Sequence, residues 1–240
     1  GKERVLHSLN IYTHVSFPNF LLPDVLLKLK HLHPDLKINC TCNAAPEMNI
    51  SANTENPNIV ILPCGYDEKY QHLVMRQGNK PDNLFGGEYT CLVSRKSPLA
   101  EKKQVSLKDL SDYCLSLPEM DSIQKSITPI TALIQTIMNM NNQIVQVESV
   151  NSVIDMVRRH PETYALSFYP ALFRYDAVLA GELVAIPISD FDTKSEYCLF
   201  YSKQAYKQYP YLQEVVQLIR QQVDIFLESC PISMMSDSAF

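Results

Sequence analysis

The sequence predicts an α/β protein. Two apolar periods alternate along nearly the whole chain: short runs with a period of two, and longer stretches whose apolar residues fall three, four and seven apart. Serines and prolines stand at the joints between them. Such alternation calls for an open sheet with helices on both faces.

The pattern is complete between Ser8 and Leu62. Ser8–Val15 reads as a strand with Leu9, Ile11, Thr13 and Val15 on one face. In the stretch VSFPNFLLPDVLLKLKHLHPDL, Leu22, Val25, Leu26, Leu29 and Leu32 form a single helical stripe. Ser16 is the expected N-cap, its hydroxyl accepting from an unpaired amide of the first turn. Pro18 is tolerated in that turn, where amides lack intrahelical partners. Pro23 predicts a short first turn and then a kink or restart. Pro34 closes the helix, because the residue before a proline avoids the α region. Leu36–Cys42 and Asn58–Leu62 (NIVIL) are the next strands. A strand–helix–strand unit implies a parallel pair with a right-handed crossover.

The middle of the chain repeats the scheme. Tyr89–Ser94 is a strand, Ser106-x-x-Asp109 a capping-box start for a short helix, and Cys114–Leu117 a strand ended by Pro118. Ile123, Ile127, Ile130, Ile134, Ile137 and Met138 form the stripe of a helix over about Ser122–Met140, interrupted by Pro129. Ile144–Val147 is a strand, Asn151–Arg159 a helix carrying Val153, Ile154 and Val157, and Tyr164–Phe168 a strand halted at Pro170. Strands at Leu183–Ile188 and Tyr197–Tyr201 precede a long helix, Tyr211–Leu227, with Val215, Leu218, Ile219, Val223 and Phe226 on one side. After Cys230 the sequence PISMMSDSAF reads as a frayed terminus.

The totals narrow the function. The chain has 240 residues, 46% of them hydrophobic, enough for one large domain or two small lobes. Lys and Arg number 21 against 26 Asp and Glu, and the net charge of −5 argues against a chain that grips phosphates by itself. No apolar run approaches the roughly 20 residues that span a bilayer, so no membrane partner is expected. The segment GKERVLHSLNIY lacks the features of an export signal. Seven scattered cysteines, Cys91 and Cys198 among them inside apolar runs, read as buried free thiols of a reducing cytoplasm.

No motif announces chemistry. His31 and His33 lie two apart on a helix and point about 200° from one another, and burial on one strand face accounts for Cys40 and Cys42, so no metal is expected. There is no nucleophile elbow, phosphate-cradling glycine loop or dinucleotide fingerprint, and Gly86-Gly87 is only a turn signal. His14 and Cys64 each follow a strand, but nothing pairs them. Ligands of open α/β sheets sit beyond the carboxyl ends of the strands, at helix N-termini. The Val15–Ser16–Phe17 turn is therefore where a ligand would be met, unless Ser16 merely caps its own helix.

Taken in order, several phrases resemble one family. SLNIYTHVSFPNFLLPDVLLKLKHLHPDLKI has the strand, short polar turn, Leu-Leu-Pro and amphipathic helix that open the effector-binding (regulatory) domain of LysR-type transcriptional regulators. NPNIVIL is similar to the family's next strand, with Asn58 where an acid often stands. FGGEYTCLVSRKSPLAEKKQVSLKDLSDYCLSLP resembles its strand, His-Pro-Leu loop and helix start, with Ser97 in the histidine's place. VESVNSVIDMVRRHPETYALSFYPA resembles a later helix and strand whose two glycines are replaced around His160 to Ala165, and EYCLFYSKQAYKQYPYLQEVVQLIRQQV the closing strand and helix. The likeness covers nearly the whole chain, and the order and spacing of the phrases carry it.

The resemblance implies two Rossmann-like lobes of the type 2 periplasmic-binding-protein kind, joined by crossing strands, with a small-molecule effector between them. Lobe I would take residues 5–84 and 189–232, and lobe II residues 85–188. Nothing in the chain matches the family's N-terminal helix-turn-helix, so DNA would be reached only through that missing domain. A homodimer, tetrameric at full length, a cytoplasmic location and no cofactor are implied as well. Carried onto this sequence, the effector contacts fall on Ser16 flanked by His14 and Phe17, on Pro63 or Cys64, on Leu117 and Pro118, and on Ser167 and Phe168. Leu117 and Phe168 favour a moderately hydrophobic or aromatic effector. The rivals are a solute-binding protein of an import system and an enzyme on the same fold. Seven cysteines without an export signal oppose the first, and the lack of a convergent acid, base or nucleophile opposes the second.

Overall fold

The computed structural model describes residues 8–14, 17–43, 49–50, 57–64, 79–119, 129–140 and 143–230. In chain order the elements are β1 (Ser8–His14), α1 (Leu22–Leu32), β2 (Lys37–Asn43), β3 (Asn58–Cys64), β4 (Asn79–Ser94), α2 (Leu107–Leu110), β5 (Cys114–Pro118) and α3 (Pro129–Met140). They continue with β6 (Ile144–Val147), α4 (Val150–Arg159), β7 (Thr163–Tyr169), α5 (Asp176–Leu179), β8 (Leu183–Pro187), β9 (Lys194–Ser202), α6 (Lys203–Gln208) and α7 (Pro210–Ser229). The chain divides into two compact units, with crossings at Gly86/Gly87 on β4 and at Ser195/Glu196 on β9.

In the first unit β1 is the central parallel strand. It pairs with β2 from Ser8 opposite Lys37 to His14 opposite Asn43, and with β3 from Asn10 opposite Asn58 to Thr13 opposite Ile61. Antiparallel β9 and then the first part of β4 continue the sheet beyond β3. The period of two places Leu9, Ile11 and Thr13, all buried, on one face of β1. On the other side of the sheet Val60, Leu62, Cys198 and Phe200 cluster with Ile50, and Tyr12 and Cys64 pack against them. At the entry to these strands an amide ladder runs sideways. Asn39 Nδ2 donates to Asn10 Oδ1 (3.0 Å), Asn10 Nδ2 to Asn58 Oδ1 (3.3 Å), and Asn58 Nδ2 to the carbonyl of Asn49 (3.1 Å).

Helix α1 packs against α7, with Phe20 and Phe226 edge to face at 5.4 Å. A 3-10 turn over Asn19–Leu21 comes first, and the α-helix starts at Leu22 with Pro23 in its first turn, so the restart expected at Pro23 is where the helix begins. Its N-cap residue is Leu21, which makes no side-chain capping bond; Ser16 lies outside the described residues. Leu22, Val25 and Leu29 are buried, but Leu32 is 59% exposed. The last contact of this segment with α7 belongs instead to His33, whose ring lies 6.0 Å from that of Tyr211 and whose Nε2 is 2.5 Å from Glu214 Oε2. Leu32 is the last residue of the helix and is turned outward there. The burial expected of Cys40 and Cys42 is also corrected. Both stand exposed on β2, the outer strand of the first unit's order β2-β1-β3, while Cys91, Cys198 and Cys230 are buried.

In the second unit the later part of β4 lies between two antiparallel neighbours, β7 (Glu88 opposite Tyr169 to Val93 opposite Tyr164) and β8 (Thr90 opposite Pro187 to Ser94 opposite Leu183). Parallel β5 and β6 follow beyond β7. The stripe of α4 packs here, Val153 and Val157 joining Leu92, Ala165 and Leu183 in one cluster. Ser106 and Asp109 close the expected capping box at the start of α2: Ser106 Oγ accepts from the Asp109 amide (3.1 Å), and Asp109 Oδ2 accepts from the Ser106 amide (2.8 Å). Of the helix expected over about Ser122–Met140, the structure describes Pro129–Met140, with Ile130, Leu133, Ile134 and Ile137 buried and Met138 exposed; Ile123 and Ile127 fall outside the described residues. The helices α5 and α6 have four and six residues, too short to leave a period in the sequence.

The two glycines at the crossing differ. A Cβ on Gly86 would meet nothing within 4 Å, whereas one on Gly87 would come within 1.9 Å of the Tyr169 carbonyl oxygen and 2.8 Å of the Phe168 ring. Backbone cannot yield as a flexible side chain can, so Gly87→Ala is expected to destabilise the chain by about 1–3 kcal/mol. Gly86→Ala is expected to stay within about 0.5 kcal/mol of the parent. Denaturant melts of the two variants check the contrast.

Candidate functional site

The carboxyl ends of the parallel strands carry most of the expected site residues. In the first unit β1 ends at His14, and the Phe17 amide donates to the His14 carbonyl at 2.9 Å. Ser16 itself is outside the described residues. Phe17 is fully buried and sits edge to face on Tyr197 at 5.5 Å; Tyr197 in turn stacks on Phe85 at 5.1 Å. The end of β3 is brought to the same aromatic group, because Pro63 lies opposite Tyr197 in the β3–β9 ladder and Cys64 opposite Glu196. Pro63 is buried and Cys64 half-buried, its Sγ 3.7 Å from the Leu62 carbonyl oxygen. The structure therefore gathers Phe17 and Pro63 about Tyr197. Tyr197 and Glu196 were not singled out by the sequence; the alternation in EYCLF marks a strand but says nothing of the strand it will face.

His14 is 2% exposed, and burial pulls its imidazole down to about 4, so the ring is neutral near pH 7. Cys64 and His14 end different strands, and the Cys64 thiol is directed to the backbone carbonyl of Leu62, which does not activate it as a nucleophile. Among the described residues no three His, Cys, Asp or Glu side chains stand together as metal ligands.

In the second unit β5 ends in Leu117, 4% exposed, and Pro118, half-buried, opposite Gln146 and Val147 of β6. The β5–β7 ladder pairs Cys114 with Thr163 and Leu115 with Tyr164 and ends before it reaches the expected contact residues of either strand. On β7, Ser167 is half-buried and its carbonyl accepts from Thr90 Oγ1 at 3.2 Å. Phe168 is 1% exposed, edge to face with Tyr89 at 5.1 Å and close to Gly87.

Two α/β units, each gathering parallel strand ends beside turns and helix starts, define a ligand-binding domain. The family model of the LysR substrate binding domain matches residues 78–224, and the chain belongs to that family. No curated protein matches the sequence. Among solved structures, the regulatory domain of MetR, a LysR family regulator from N. meningitidis, in a form with two cysteines replaced by serine, is similar at 16% identity, with 94% of this chain and 96% of that chain covered and a TM-score of 0.70. The reduced OxyR regulatory domain from Pseudomonas aeruginosa gives 14% identity, coverage of 92% and 98%, and a TM-score of 0.60. The effector binding domain of QuiR in complex with shikimate gives 14%, 91% and 98%, and 0.59. At such identities the likeness is one of fold, and the fold is the type 2 periplasmic-binding-protein-like fold of LysR regulatory domains.

The buried imidazole makes a pH prediction. An unfolded histidine titrates near 6.5 and His14 near 4, so between these values only the unfolded chain takes the proton. Its share of stability is present above about pH 6.5 and lost as pH falls towards 4, by up to about 3 kcal/mol. His14→Gln is expected to flatten the stability profile over that window and leave it parallel to the parent elsewhere, as read from denaturant melts at stepped pH.

Proposed function

We propose that the chain is the effector-sensing domain of a cytoplasmic LysR-type transcriptional regulator that works as a homodimer. The family match over residues 78–224 carries this reading, because the family is one of substrate-binding domains attached to transcriptional regulators. The strand ends support it. They combine buried aromatic and aliphatic side chains with a few polar groups, the composition of small-molecule sites. The effector would be met at Ser16 and its neighbours His14 and Phe17, at Pro63 and Cys64, and at Leu117, Pro118, Ser167 and Phe168. An aromatic or moderately hydrophobic compound fits that set. Its binding would act on transcription only through its difference in affinity between two arrangements of the domain. DNA contact is assigned to the helix-turn-helix domain that such regulators carry, in keeping with the acidic balance here.

An enzyme is disfavoured because His14 is neutral and buried and Cys64 directs its thiol to backbone. A thermal-shift screen of metabolites, with shikimate and other cyclic carboxylic acids in the first panel, tests the proposal. A binder at about 100 times its dissociation constant is expected to add about 2.7 kcal/mol, a shift of several degrees that grows with concentration. Ser16→Ala and Cys64→Ala should remove the shift while the ligand-free melting point stays within a few degrees. Turnover of a panel member, or a panel without effect, counts against the sensor.

A further inference from the structure

The first part of β4 is held by a polar knot. Arg220 of α7 forms an ion pair with the carboxylate of Asp82, and its Nη1 donates to the Asn83 carbonyl at 3.0 Å. The Tyr201 hydroxyl donates to Asp82 Oδ2 at 2.9 Å. Asn83 Nδ2 donates to Glu196 Oε2 at 2.6 Å, and Cys198 Sγ lies 3.3 Å from Asn83 Oδ1 as donor. Two consecutive residues of β4 are thus bound to three residues of β9 and one of α7. The Asp82 and Arg220 side chains are 23% and 35% exposed, so the pair is more sheltered than a free surface ion pair and shares its charge with neutral partners. Burial, with the Asp82 carboxylate beside it, holds the Tyr201 phenol above its ordinary range, which keeps it a donor.

Beyond the knot the contacts change character. Gly86 has open space on its Cβ side and Gly87 is wedged against Tyr169 and Phe168. The passage between the units falls between these two glycines, and on the return strand between Ser195 and Glu196. On the second unit's side the Tyr89 amide donates to the Thr193 carbonyl at 3.0 Å. Both strands are therefore fastened on each side of a short segment.

We propose that Asp82, Arg220 and Tyr201 form a latch that binds the leaving strand β4 and the returning strand β9 to α7, so that bending of the connection is confined to Gly86–Gly87 and Ser195–Glu196. Helix α7 then moves as one body with both connecting strands. A pivot of a few residues between stiff arms is what a sensor with two arrangements requires, so the use of the latch rests on the sensor reading, although its existence does not.

Hydrogen exchange of the whole chain without ligand tests it. In Arg220→Met and in Asp82→Asn, amides of 82–85 and 197–201 are expected to exchange about tenfold faster or more, with β5, β7 and α4 within about twofold of the parent. The double variant should be no faster than the worse single one, since both break the same knot. Arg220→Lys, which keeps the charge without the planar fork, should give a smaller acceleration in the same segments. Unchanged exchange in those segments, or acceleration spread evenly over both units, overturns the latch. A metabolite panel without a binder would overturn the sensor reading and leave this result standing.

Discussion

Two strands serve two units, and the rest of the structure follows from how they do it. A strand that changes neighbours midway must satisfy its backbone groups against a new ladder while its side chains enter a different core. β4 runs 16 residues and changes composition at the crossing. In the second unit it lies between β7 and β8, and Cys91, Leu92 and Val93 are all completely buried. In the first unit it lies beside β9, and Pro81 and Asn83 are exposed. Polar side chains there join the Phe85–Tyr197 stack in fastening the strand to β9. Gly87 belongs to the same constraint, because the approach of Tyr169 and Phe168 leaves no room for a Cβ on the side where the new ladder begins.

The places where the chain departs from the pattern of its family have local physical reasons. Asn58 is the middle of an amide ladder, donating to the Asn49 carbonyl and accepting from Asn10, a role that needs a group with both a donor and an acceptor. Ser97 is 3% exposed and caps the 3-10 turn Pro98–Glu101, accepting from the Leu99 amide at 3.4 Å. Ala165, in the stretch where the family has glycine, belongs to the cluster of Leu92, Val153 and Val157. Each of these residues is engaged in packing or hydrogen bonding inside one unit. The character of those ends follows from burial: a neutral imidazole at the end of β1, and rings at Phe17, Tyr197 and Phe85 packed on one another.

Much of this was legible in the sequence where period and boundary signals coincide. Ile144–Val147 has the predicted bounds, α4 starts within a residue of its expected place, and the capping box at Ser106 closes as the Ser-x-x-Asp spacing requires. The first half of β4 was not legible. NKPDNLFGG has a proline, two glycines and few apolar residues, and nothing local marks it as a strand; only pairing with β9 and the bonds to Asp82 and Asn83 make it one. Exposure was misread for Leu32, Cys40 and Cys42, because an apolar residue type reports a preference for burial and not whether a neighbour arrives to cover it.

The site divides in the same way. Sequence alone determined that His14, Phe17, Pro63, Cys64, Leu117 and Phe168 lie at or just beyond strand ends, since alternation and the prolines that stop it are properties of neighbouring residues. Tertiary structure decided which of them meet: Tyr197, distant in sequence, stands opposite Pro63 and against Phe17, while Phe168 turns into the packing about Tyr89 and Gly87. Those choices depend on strand register and direction, which are set by pairings between distant segments, and no local period contains them.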